Sequence, residues 1–174
     1  MHLNPYGEYA VLLAASLAND WPADRDGIDD RMRTFGMTMA FPEAQEDHAR
    51  TRGMIDDWLL VVDAAAGQER ATLLNAQMEQ AAAYPRLSDH DDEGWHLHYR
   101  DTGQSLPDAL RAVISVGTAL HLTTRGMHRL GRCQSAPCEA VIVDTTRNGR
   151  QRYCSVQCAN RAAVRRHRSE RSRA

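Results

Sequence analysis

The sequence predicts a mainly α fold with a small β-hairpin. An N-terminal helical domain of α+β type is followed by a short C-terminal module tied together by four cysteines. Three observations carry this reading. Apolar residues in the first 125 positions recur at helical spacing between proline, glycine and acidic breaks. All four cysteines of the 174-residue chain come after residue 132, as two close pairs. Charge divides at the same place: residues 1–124 hold 9 arginines against 20 acidic residues, −11, while 125–174 hold 12 against 3, +9. The predicted domains are therefore 1–125, acidic and mainly helical, and 126–174, basic, with the glycine-containing stretch 126–132 between them.

Asn4 and Pro5 suit the N-cap and first position of a helix. Its buried stripe is Tyr6, Ala10, Leu13 and Leu17, with Tyr9 and Leu12 beside it, and Asn19 to Pro22 end it. A polar acidic loop follows, then a short helix on Ile28, Met32 and Phe35 that stops near Gly36. Met37 and Met39 read as core filler. A long helix is expected from Pro42, with Glu43 and Glu46 in a first turn where acid is favoured. Met54, Trp58 and Val62 form its core face with Ile55 and Leu59, and Gly67 is expected to end it. The next helix runs from about 68 to 83 on Leu73, Leu74, Met78, Ala81 and Ala82, and Tyr84 and Pro85 stop it. Trp95, Leu97 and Tyr99 alternate with His96, His98 and Arg100, a half-buried strand that residues 86–90 pair with across an acidic turn. Ser105, with Asp108 three residues on, caps the last large helix of this domain, whose apolar surface is Leu110, Val113, Ile114, Gly117, Leu120 and Leu122.

His90, His96 and His98 near Asp89, Asp91 and Asp92 invite a metal reading, but the carboxylates sit in a turn without a ligand spacing of known type. A solvated hairpin face explains them more simply; the floor of an effector pocket is a weaker alternative.

The cysteines are more specific. Cys133 and Cys138 are spaced C-x4-C, Cys154 and Cys158 C-x3-C, with fifteen residues between the pairs. Four soft ligands in two short segments suit one structural zinc ion, Zn2+, in a closed tetrahedral site. Val141, Ile142 and Val143 read as a strand, Asn148 and Gly149 as a turn, and Gln151, Arg152 and Tyr153 as the return strand that delivers Cys154 to the first pair. Cys154 and Cys158 share a face if a helix begins there. Loop pair, hairpin and helix-start pair together form a treble-clef-like zinc finger. Two disulfides would match the cysteine count, and a redox pair is the other alternative, but neither pair has the C-x-x-C redox spacing.

Cys133, Cys138, Asp144, Thr146, Arg147, Tyr153, Cys154, Ser155, Cys158, Asn160 and Arg161 also resemble, position by position, the tail of the bacterial CGNR zinc finger proteins. That pattern runs C-x4-C, an apolar strand, D-x-[ST]-R, an aromatic-C-S, then CGNR and a basic helix. The departure is Ala159, which makes the tetrapeptide CANR. The resemblance covers the cysteine-containing tail specifically and the first 125 residues only in architecture. It implies an N-terminal regulatory domain of the ABATE type and a role in transcription regulation.

No phosphate loop, nucleophile elbow, dinucleotide fingerprint or H-E-x-x-H motif is present, and a closed four-cysteine site leaves zinc no open position for water, so an enzyme is not expected. No apolar run approaches the 18 residues of a membrane span, and the first residues lack the basic start of a secretory signal. The expected location is cytoplasmic, on the nucleoid. The expected partner is double-stranded DNA, contacted by Arg147, Arg150, Arg152, Asn160, Arg161, Arg165, Arg166 and Arg168. Arg161, Arg165 and Arg168 share one helical face, and arginine forks suit phosphate and guanine. The acidic domain would sense a small-molecule effector, form a homodimer or contact another protein. The alternative is a zinc-dependent protein-interaction module that contacts the transcription machinery.

Overall fold

The computed structural model describes residues 5–37, 41–88 and 95–172. Within them, six helices and two short antiparallel hairpins follow in the order α1 (Pro5–Asn19), α2 (Arg25–Thr34), α3 (Asp47–Asp63), α4 (Gly67–Ala81), β1 (Arg86–Ser88), β2 (His96–His98), α5 (Leu106–Arg125), β3 (Leu130–Arg132), β4 (Val141–Val143) and α6 (Val156–Arg171). The mainly helical fold with a cysteine-bearing C-terminal module is the one the sequence predicts. Asn4, Met39, His90, Asp89, Asp91 and Asp92 lie outside the described residues.

Helix α5 is the centre of the helical body, packed by α1, α3 and α4. Its N-terminus is capped as expected: the Ser105 hydroxyl accepts from the Asp108 amide and donates to the Asp108 carboxylate at 2.5 Å. Small residues let α1 approach closely. A Cβ added at Gly117 would lie 2.6 Å from Ala10 Cβ and 3.1 Å from the Gly7 carbonyl oxygen, so the crossing has no room for a larger residue. Leu13, Leu17, Ile28, Met32, Ile55, Trp58, Leu110 and Ile114 fill the core. Trp58 satisfies its indole N–H on the Thr118 hydroxyl at 3.0 Å, inside the apolar cluster.

Helix α3 starts five residues later than Pro42 suggests. Residues 42–46 are a loop, and the helix begins at Asp47, a buried carboxylate that Arg25 reaches at 2.5 Å and the Ala44 amide at 3.2 Å. A tertiary ion pair, not local acid content, sets this boundary. Gly67 opens α4 instead of closing α3. The break between them is made by Arg70, which donates to the carbonyls of Val61, Val62 and Ala64 at the end of α3, and by Glu69, which accepts from the Ala65 amide. Arg70 also donates to the Met127 carbonyl and so holds the turn that leads into the finger.

The β1–β2 hairpin pairs Leu87 with Leu97. It is not half-buried: Leu87 is 69% exposed, Trp95 73% and Leu97 41%. The alternation in this stretch marks a strand, but the helical body does not cover its apolar face. Tyr9, expected beside the stripe of α1, is likewise exposed.

The stretch 126–132 is more than a linker. Leu130, Gly131 and Arg132 form β3 and pair with Val143, Ile142 and Val141 of β4. Strand alternation then splits β4 between two cores. Leu130, Val141 and Val143 join the large helical core, while Ile142 packs with Cys133, Cys138, Ala140, Tyr153 and Cys158. The outer edge of β4 is read by the side chain of Asn19, which accepts from the Val141 amide at 2.7 Å and donates to the Val141 carbonyl at 3.0 Å. Arg132 reinforces this seam with a two-pronged contact to Asp63 of α3, both distances 2.8 Å.

Candidate metal centre

Two loops and one helix start bring the thiols together. The first loop carries Cys133 and Cys138, closed by Cys138 N–H donating to the Ser135 carbonyl at 2.8 Å. Ser155 is the N-cap of α6 and accepts from the Cys158 amide at 3.2 Å. That cap places Cys158 in the first turn and Cys154 just before it. Ala159 sits in the same turn, half-buried, and donates its amide to the Ser155 carbonyl at 3.0 Å.

The four Sγ atoms of Cys133, Cys138, Cys154 and Cys158 lie within 4.8 Å of one another. Cys154 Sγ is 3.6 Å from both Cys138 Sγ and Cys158 Sγ. A tetrahedral zinc with Zn–S near 2.3 Å needs S···S separations of about 3.8 Å. A disulfide would need about 2.05 Å. All four cysteines are free. The donor set therefore fits one closed, structural zinc ion and excludes the disulfide alternative in this arrangement. Thiols packed this closely cannot all ionise on their own. The Ser155 hydroxyl and the neighbouring thiols pull Cys158 down to about 7, while burial and the other three thiols push Cys154 up to about 12 against the Ser155 hydroxyl. A divalent cation removes that conflict by binding the thiolates of both.

The return strand expected at 151–153 does not form; β4 pairs with β3 instead. Residues 144–152 form a loop that Asp144 organises. Its carboxylate accepts from the Thr146 amide and hydroxyl and the Gln151 amide, and Arg129 pairs with it at 3.5 Å. Burial opposes its charge, but these donors outweigh burial and hold its pKa below the ordinary carboxylate value. Gly149 turns the loop with φ +66°, and a Cβ there would meet the Arg129 guanidinium at 2.7 Å. The Gln134 amide donates to the Arg152 carbonyl at 2.9 Å, so the segment still arrives alongside the first cysteine loop, as the sequence requires of it.

The arginines divide into two groups. Arg161 donates to Cys158 Sγ at 3.7 Å, Arg165 to the Ala136 carbonyl at 2.8 Å, and Arg166 to the Tyr153 hydroxyl at 3.0 Å. By contrast, the side chains of Arg147, Arg150, Arg152 and Arg168 make no hydrogen bond or ion pair to the described residues and are exposed or nearly so. Asn160 is exposed in the second turn of α6; the helix cap is Ser155. The helix stands out from the protein, with Cys158 its one buried residue. The contacts of Arg70, Asn19 and Arg132 escape sequence reasoning, because nothing in their local pattern separates them from surface residues.

Residues 129–171 match the CGNR zinc finger family, so the C-terminal module is a zinc-binding finger of that type. The match begins at Arg129 and takes in β3, β4, all four cysteines and α6. No curated protein matches the chain.

Proposed function

We infer that the protein is a bacterial DNA-binding transcriptional regulator whose zinc-stabilised finger presents arginines to duplex DNA. The observation that carries this reading is the charge of the finger region, +9 over residues 125–174, set on a helix and loop that the body leaves open. Arg147, Arg150 and Arg152 on the loop and Arg168 on α6 have their forks free for phosphate. Asn160 is free to meet a base edge or a backbone oxygen. Zinc has a structural role: so small a core as Ile142, Tyr153 and Ala140 around the cysteines cannot hold a module together unaided. The helical body would sense a small-molecule effector or form the homodimer that a two-fold operator requires. No chemistry is assigned to it, and the protein is read as non-enzymatic, cytoplasmic and nucleoid-associated.

The experiment is a salt titration of the zinc-loaded chain on duplex DNA from around its own gene, with a competitor duplex as control. Four phosphate contacts predict a log–log slope of about −3.6. Zinc-dependent binding with such a slope and preference over the competitor supports the regulator. No binding at low salt rejects it. In that case the exposed apolar face of Leu87, Trp95 and Leu97 favours the second reading, a module that contacts protein of the transcription machinery.

A further inference from the structure

We propose that Arg161, Arg165 and Arg166 are positioning residues of the metal centre, three guanidinium groups of one helix that fix the ligand-bearing segments around zinc. The inference rests on the zinc site alone and stands apart from the DNA-binding reading.

Each arginine holds a different segment. Arg161 lies one helical turn after Cys158 and points its Nη2 at that sulfur, 3.7 Å away. Arg165, a further turn along, reaches across to the Ala136 carbonyl, inside the loop that carries Cys133 and Cys138. Arg166 holds the hydroxyl of Tyr153, the residue before Cys154, and the Tyr153 ring packs in the small core around the site. The helix thus grips both other segments with side chains, where its own backbone contributes only Cys158 as a buried residue.

The physical need is electrostatic as well as geometric. Four thiolates around one zinc leave a formal charge of about −2 on the cluster. The sulfurs have few backbone donors: the Cys154 amide is 3.5 Å from Cys133 Sγ. Two of the ligands are not buried, Cys154 being exposed and Cys138 half-buried, so water and competing ligands can approach them. A permanent cation beside Cys158 Sγ stabilises the charged cluster. Clamps on the Ala136 carbonyl and the Tyr153 hydroxyl keep the more open ligands from swinging away. Groups around a metal that orient its ligands typically change affinity by about 10–100-fold when removed.

The test is chelator competition on the full-length, zinc-loaded protein, with zinc release followed by a chromophoric chelator and no DNA present. Arg161→Ala is expected to weaken zinc binding about tenfold and speed release, with Arg165→Ala in the same direction. Arg168→Ala, which lies on the same helix and removes the same charge without touching the site, should leave both unchanged. Arg161→Gln keeps a donor without the charge; it is expected to loosen zinc less than Arg161→Ala and serves if the alanine protein does not fold. The cobalt-substituted protein gives a second readout, a shift in the thiolate–metal absorption for Arg161→Ala. Zinc affinity within about twofold of the parent in the Arg161 variants overturns the proposal, as does equal loosening by Arg168→Ala.

Discussion

Replacing Arg70 with alanine removes the side chain that closes the end of α3. The last carbonyls of a helix have no partner inside it. Here those of Val61, Val62 and Ala64 are taken by Arg70 at 2.9, 2.9 and 3.1 Å, and the Met127 carbonyl by its remaining nitrogen. All three residues are buried, so water does not serve these oxygens in the native protein. Burial pulls the Arg70 pKa down from its ordinary value, with Asp63 acting in the other direction. Hydrogen bonds with a charged partner contribute about 1.5 kcal/mol or more each, so four set a scale near 6 kcal/mol. Water entering the space left by the side chain recovers part of that, and the expected loss is about 3–5 kcal/mol. Such a loss is a large share of the ~5–15 kcal/mol that holds a domain folded. The assay is urea unfolding of the zinc-loaded chain followed by far-UV circular dichroism, compared at a common denaturant slope. Arg70→Lys should recover less than half of the loss, because one ammonium cannot span four carbonyls. A loss below about 0.5 kcal/mol for the alanine protein, or full replacement by lysine, would refute the reasoning.

Three further outcomes are expected. Cys154→Ser should lose zinc and the order of residues 144–171 while α1–α5 keep their helical signal; full metal content by atomic absorption would remove Cys154 from the ligand set. Arg150→Ala and Arg168→Ala should each lower the salt slope of DNA binding by about 0.9, and an unchanged slope would take that residue out of the interface. His121 is buried with neither ring nitrogen hydrogen-bonded, and burial, then the charge of Arg125, lower its pKa against weaker opposition from Glu8. The unfolded chain therefore binds this proton first, and stability should fall as pH drops below about 6.5. His121→Leu should flatten that fall; identical profiles for the two proteins between about pH 7 and pH 5 would contradict it.

The parts of this fold that rest on local chemistry were legible. Ser105 and Asp108 announced the start of α5, the stripe Ala10, Leu13 and Leu17 announced the buried face of α1, and the two cysteine pairs announced their own convergence. What escaped depends on long-range partners. Pro42 and the acids after it are good helix-start signals, but the buried Asp47 carboxylate is held through one oxygen by Arg25 and the Ala44 amide, and the helix begins there. The strand Val141–Val143 was visible from its β-branched run; its partner was not, because Leu130–Arg132 offers one apolar residue and a glycine. The arginines of α6 look alike in sequence. Only the folded loops beside them separate the three that turn inward from Arg168, which does not.

Strand β4 has one face in each core: Val141 and Val143 in the helical body, Ile142 against the cysteines. Metal occupancy thereby contributes to the stability of α1–α5, although these helices stay folded without it. A ligand that binds only the native state stabilises it by RT ln(1 + [L]/Kd), about 2.7 kcal/mol at a hundredfold excess over Kd. Because the strand is common property, part of that free energy is shared with helices that never touch the ion. Zinc scarcity would then reach the acidic body as a loss of its own stability, and the abundance of the whole chain would follow the availability of the metal.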